Sequence, residues 1–142
     1  MPLDQDHEIA ELLSRVRRIA LLGASANTSR ASHRVMRFLL AAGYEVIPVN
    51  PALAGTQLLG QAVVGALSEL PTPVDMLDVF RRSEHLPQIV DEAIELGIPA
   101  IWTQLDVVDH AAADRAEHAG LQVVMDRCPA IEIPRLRESG LL

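Results

Sequence analysis

Residues 17–30 read RRIALLGASANTSR. The apolar run Ile19-Ala20-Leu21-Leu22 ends on Gly23 and gives way to small and polar residues. An apolar run this short, without polar alternation, is the pattern of a strand covered on both faces, as in parallel sheets. Gly23 lets the backbone turn sharply and come close to a ligand. Residues 33–42 then place Val35, Phe38, Leu39 and Ala42 at helical spacing, and Gly43 closes the helix. Strand, small polar loop and helix make the opening of a βαβ unit, whose loop is where a phosphate-bearing ligand sits. Yet the loop has one glycine. It lacks the later glycines of the dinucleotide fingerprint and the lysine of a phosphate loop.

The same reading extends in both directions. Upstream, Ile9, Leu12, Leu13 and Val16 predict a helix over residues 7–15. Downstream, residues 44–50 (YEVIPVN) predict a second strand, which Pro48 restricts to a sheet edge or an irregular end. Residues 51–70 are punctuated by Gly55, Gly60 and Gly65 and read as irregular. VDMLDVF, residues 74–80, is a third strand. Ser83 reads as an N-cap before a stripe of Leu86, Ile89, Val90, Ala93 and Ile94 that stops at Gly97. PAIWTQ, residues 99–104, is a fourth strand. Asp109 caps a helix that Gly120 ends, residues 121–125 form a fifth strand, and residues 128–137 form a last helix with Pro129 in its first turn. This alternation predicts an α/β fold: a doubly wound, mostly parallel five-stranded sheet with helices on both faces. No linker, repeat or low-complexity tract divides residues 1–142, so a single domain is expected.

Composition narrows the classes. Of 142 residues, 49% are hydrophobic, enough to build a core. No apolar run approaches the roughly 18 residues that span a bilayer, and the acidic start MPLDQDHEIAEL has no signal-peptide pattern. A cytoplasmic protein with no membrane attachment is expected. The net charge of −7 disfavours a nucleic-acid surface. All 12 basic residues are arginines, so a Walker lysine, a Schiff base and a lysine base are all excluded. One cysteine, Cys128, rules out an internal disulfide, and the five histidines show no metal-ligand spacing.

Ligands of such sheets sit beyond the carboxyl ends of the strands. Five loops qualify, and three carry arginine: the loop from Gly23 to Ser32, the stretch Phe80-Arg81-Arg82-Ser83, and Asp126-Arg127-Cys128-Pro129. Asn50-Pro51 and Gln104-Leu105 complete the set. The arginine fork suits phosphate. Ala24, Ser25 and Ser32 leave backbone amides open, and the next helix offers its N-terminus to an anion. A nicotinamide dinucleotide needs an acid at the end of the second strand to hold ribose hydroxyls. That place is Asn50-Pro51, while Glu45 lies at the strand's other end, so NAD is disfavoured. Asp75 and Asp78 point to opposite faces and form no carboxylate pair. Asp78 reads as a buried, hydrogen-bonded structural acid. His33 reads as a solvated or capping histidine, and Cys128 as a small core residue. No nucleophilic triad is legible.

Taken together, IALLGAS, RASHRVMRFLLAAGYEVIPVNP, VDMLDVFRRSEHLPQIVDEAIELG, IWTQLDVV and GLQVVMDRCPAIE resemble the small stand-alone CoA-binding domain proteins. These are similar in fold to the CoA-binding domain of the succinyl-CoA synthetase α-subunit. The match runs from about Arg17 to Arg135. It implies a Rossmann-like domain that binds coenzyme A, as CoA or acyl-CoA, across the strand ends. Carried over by position, Gly23, Ala24 and Ser25 would lie against the pyrophosphate, and Arg30, Ser32 and Arg34 would reach phosphate groups. Asn50 and Pro51 would border the nucleotide, Phe80 and Arg81 would wall the adenine or ribose, and Gln104 is a further site residue. The larger synthetases need a second domain with a phosphorylated histidine, so acyl-CoA synthesis is not expected here. The expectation is a non-catalytic protein with a small-molecule CoA partner, acting as monomer or homodimer. Two rivals remain: a small NAD(P)-dependent oxidoreductase, and an interaction module that has lost its ligand.

Overall fold

The computed structural model describes residues 1–142. Its main sheet has five strands: β1 (Arg18–Leu22), β2 (Glu45–Val49), β5 (Met76–Val79), β6 (Ala100–Thr103) and β7 (Gln122–Val124). Their order is β2-β1-β5-β6-β7 and every pair is parallel. Five helices alternate with them: α1 (Asp6–Arg15), α2 (Ala31–Ala41), α3 (Leu86–Leu96), α4 (His110–His118) and α5 (Pro129–Glu138). The fold is a Rossmann-like α/β sandwich.

The alternation of β-strand side chains divides the core in two. On one face Ile19 and Leu21 of β1, Met76 of β5 and Trp102 of β6 pack with Leu13 of α1, Met36 of α2 and Ile133 of α5. On the other, Ala20, Leu77 and Ile101 pack with Ile89 and Val90 of α3 and Ala113 and Ala116 of α4. Strands covered on both faces need apolar residues at every position, which is why IALL and AIWT carry no polar alternation. Cys128 is buried in the first cluster, as a small core residue.

Pro48 stands on the outer strand β2, in register with Leu21. Residues 48 and 50 face outward: the Pro48 carbonyl accepts from Val64 N at 3.1 Å and Asn50 N donates to the Val64 carbonyl at 2.9 Å. A proline is tolerated because no full strand pairs there. The segment after β2, expected to be irregular, contains a two-residue antiparallel pair, β3 (Gln57–Leu58) with β4 (Gln61–Ala62). At the other edge, Leu3 N donates to the Val123 carbonyl at 2.7 Å.

Two expectations about acids and caps are corrected. Asp78 is fully buried in the central strand, between Leu21 and Trp102, but neither carboxyl oxygen has a hydrogen-bond partner. Ser83 does not cap α3. A short 3-10 turn over residues 83–85 precedes the helix, and the Ser83 hydroxyl instead accepts from Val108 N and donates to the Asp106 carbonyl. Asp75 accepts from the backbone amides of Arg17 and Arg18 at 2.8 and 2.9 Å, fixing the start of β1. No helix is long and apolar enough to cross a membrane.

Candidate functional site

The chain leaves β1 toward β2 on one side and returns to β5 on the other, so the carboxyl ends of β1 and β5 bound a crevice. Gly23 makes the turn into it. Its φ is +93°, and a Cβ there would lie 2.4 Å from the Phe80 carbonyl oxygen, so only glycine lets the two strand ends approach this closely. Gly23 N and Ala24 N both donate to the Val49 carbonyl, at 3.0 and 3.2 Å, which ties the loop to the end of β2.

Beyond Gly23 the loop is held by side chains. Asn50 Nδ2 donates to the Ala24 carbonyl at 2.7 Å, while Asn50 Oδ1 accepts from Ala52 N at 2.8 Å. Within the loop, Asn27 Oδ1 accepts from the amide and hydroxyl of Ser29, and Ser25 Oγ accepts from Asn27 N. The Arg34 guanidinium donates to the Ser29 carbonyl. His33 is 5% exposed rather than solvated, and its Nδ1 lies 2.9 Å from the Ser25 carbonyl oxygen. The backbone amides of Ser25, Ala26, Ala31 and Ser32 donate to no protein atom. The last two belong to the first turn of α2, where the helix dipole is positive.

These groups surround an open cavity of about 340 Å³ lined by Gly23, Ala24, Ser25, Arg30, Ala31, Ser32, Asn50, Phe80 and Arg81. Neither Arg30 nor Arg81 is in a salt bridge. Two free guanidinium groups and three free amides, those of Ser25, Ala31 and Ser32, make a strongly anion-attracting hollow in a chain of net charge −7. Arg81 also lines a second cavity of about 190 Å³ on the α3 side, with Leu22, Pro51, His85, Gln88 and Glu92 among its walls. A third hollow, of about 260 Å³, lies at the amino ends of the strands around Pro71, Pro73 and Leu96, away from these loops.

Of the residues singled out in the sequence, Gly23, Ala24, Ser25, Arg30, Ser32, Asn50, Phe80 and Arg81 share the first cavity. Pro51 lies in the second. Arg34 lines neither, its guanidinium being spent on the loop itself. Gln104 lines neither; it is 9% exposed, its backbone amide bonds to the Val79 carbonyl, and its Oε1 is buried without a partner. Ala31 lies in the loop from Gly23 to Ser32 but was not singled out, because what it offers is a backbone amide and its side chain gives no signal. Sequence reasoning missed His85 and Gln88, which only the packing of α3 beside β5 brings to the crevice.

Four matches to known proteins bear on this site. The model of the family described as CoA binding domain matches residues 17–134. The uncharacterized protein YneT of Bacillus subtilis (strain 168) is 41% identical over 121 residues, covering 85% of this chain and 88% of that one. A solved structure from Thermus thermophilus superposes with a TM-score of 0.89 at 38% identity, covering 94% of this chain and 99% of that one. The alpha subunit of an ADP-forming acetate–CoA ligase of Pyrococcus furiosus is 27% identical over 95 residues, which are 64% of this chain and 21% of that subunit. This chain thus matches only about a fifth of that ligase subunit.

Proposed function

This chain belongs to the family of CoA binding domains, and from that premise we propose that it binds CoA or acyl-CoA at the carboxyl ends of β1, β2 and β5 and catalyses no reaction of its own. The observation that carries the reading is the set of three unpaired amides, from Ser25, Ala31 and Ser32, that line one cavity with the unpaired Arg30 and Arg81. CoA brings a pyrophosphate and a ribose phosphate, and a hollow of this kind stabilises such charge without a metal or a lysine. The pyrophosphate rests on Gly23, Ala24 and Ser25, with Arg30 and Ser32 donating to it. The nucleoside end runs past Phe80 and Arg81 to Pro51. Arg34 serves this site through Ser29, and Gln104 stands behind it with an acceptor unpaired. The first cavity is lined by no carboxylate, histidine or cysteine, so the hydroxyls of Ser25 and Ser32 have no general base among the lining residues to activate them. Residues 1–142 act as one binding unit, both core clusters being built on one sheet.

Nicotinamide dinucleotides fit less well. Asn50 occupies the place of the ribose-binding acid, and both ends of its carboxamide are already bonded, to the Ala24 carbonyl and Ala52 N. Titration calorimetry with CoA, acetyl-CoA, NAD and ATP decides the matter. CoA or acetyl-CoA binds and NAD does not; NAD binding without CoA binding overturns the proposal, and silence toward every nucleotide leaves the interaction module. Arg30→Ala weakens CoA binding about tenfold, the loss of one charge-assisted hydrogen bond, and an unchanged Kd removes Arg30 from the site.

A further inference from the structure

We propose that His33 is a positioning residue of the anion loop: from behind, it holds the Ser25 carbonyl turned away, so that the Ser25–Ala26 peptide presents its amide to a phosphate. The inference rests on the reading of this loop as a CoA site and names the residue that gives it its shape.

His33 sits in the first turn of α2, 5% exposed, with Nδ1 2.9 Å from the Ser25 carbonyl oxygen. A carbonyl oxygen only accepts, so Nδ1 carries the hydrogen. In a trans peptide the C=O and N–H vectors are opposed, so pinning the Ser25 carbonyl fixes the direction of Ala26 N–H. That amide is among those without a partner in the chain. The same device recurs on either side. Asn50 Nδ2 holds the Ala24 carbonyl, which orients Ser25 N–H, and Arg34 holds the Ser29 carbonyl. Three donors from outside the loop therefore take three of its carbonyls. An anion site needs amides and is harmed by carbonyl oxygens turned toward it, so a loop with few glycines gains its amide-in arrangement from these side chains. His33 is the buried member, on the inner face of α2. A purely structural histidine would be replaceable by any side chain that fills the space.

The test compares the full chain with two variants by CoA calorimetry and by melting without ligand. His33→Asn keeps an N–H donor near the place of Nδ1 and retains affinity within about threefold of the parent. His33→Leu fills the space with no donor and weakens CoA about tenfold, the scale of one lost hydrogen bond, while the unliganded melting midpoint stays near that of His33→Asn. Equal affinity in the two variants overturns the positioning role, whether both bind like the parent or both fail. If His33→Leu does not fold, His33→Met takes its place with the same expectation. Absence of CoA binding by the parent chain refutes the CoA reading and not this one. In that case amide hydrogen exchange across residues 25–29 of the unliganded proteins is the readout: faster in His33→Leu than in His33→Asn, with equal exchange overturning the role.

Discussion

Gly23 is the residue on which the site turns. At φ +93°, with the Phe80 carbonyl where a Cβ would stand, any side chain brings both backbone strain and a clash with a neighbouring strand end. Gly23→Ala therefore lowers stability by at least about 2 kcal/mol in urea unfolding and removes CoA binding in the fraction that folds. Asp78 makes a different demand. Burial with no partner pushes its carboxyl well above the ordinary value of 3.8, so the folded protein keeps a proton that the unfolded chain gives up. The folded state then binds more protons, and stability falls as pH rises. The contribution is complete below 3.8 and declines as pH climbs toward the raised folded value. Asp78→Leu, similar in size and without polar atoms, is more stable than the parent at neutral pH by about 1–3 kcal/mol, and the difference narrows on acidification. Parallel unfolding curves at neutral and acid pH check this; a constant difference denies the buried proton. In the sequence Asp78 looked like a bonded structural acid, because a strand pattern places a side chain on a face without saying which polar groups wait there. Arg30 and Ser32 were expected to reach phosphate groups on the family resemblance, and the structure brings both to one cavity. The role of His33 was not legible, since it depends on a bond eight residues back across a folded loop.

The helices were read from their apolar spacing, and their ends from local chemistry where that chemistry is strong. Asp109 is such a case: its Oδ1 accepts from Ala112 N at 3.0 Å at the start of α4. α4 has only nine residues, and its buried face is alanine, so it depends on its cap more than a Leu-rich helix does. Asp109→Ala costs about 1 kcal/mol, measured by chemical unfolding, with the loss confined to stability. Ser83 carried the same signal and misled, because Pro87 in the first turn of α3 and the 3-10 turn before it shift the helix start. The β3–β4 pair escaped notice because two-residue strands are too short to display a period. The α1 and α5 helices are joined by the ion pair of Arg135 with Asp6 at 2.8 Å, and Arg135 also pairs within α5 with Glu132 at 3.0 Å, on which Arg127 lies at 2.7 Å. Burial raises the Glu132 carboxyl, but its hydrogen bonds from Arg135 and Arg127 outweigh this and hold it below the usual range. The Asp6–Arg135 pairing is not visible in the sequence, where the two residues stand at opposite ends.

At the scale of the whole molecule, the alternation of apolar runs and amphipathic stripes was enough to predict a doubly wound, mostly parallel sheet, and Pro48 limited β2 to an edge or an irregular end, of which the structure shows the edge. Both follow from properties that are local in the chain: burial on two faces requires uninterrupted apolar residues, and a proline lacks the N–H that an inner strand must donate. The loops that could bear a ligand were legible for the same reason, since in such a sheet they follow the strands. The crevice itself required the tertiary structure. Strand order places the end of β1 against the end of β5, 57 residues apart in register from Leu21 to Asp78, and so brings Arg30 and Arg81 to one cavity. It also decides which polar groups are left unpaired: the amide of Ser25 at the hollow, and Asp78 in the core. Residue types and their spacing thus determined the fold and the kind of chemistry available, because backbone periodicity and side-chain charge are carried by the chain itself. The shape of the site, and the roles of His33 and Asn50 in holding it, were decided only on folding, because a hydrogen bond between distant segments depends on the separation that packing imposes.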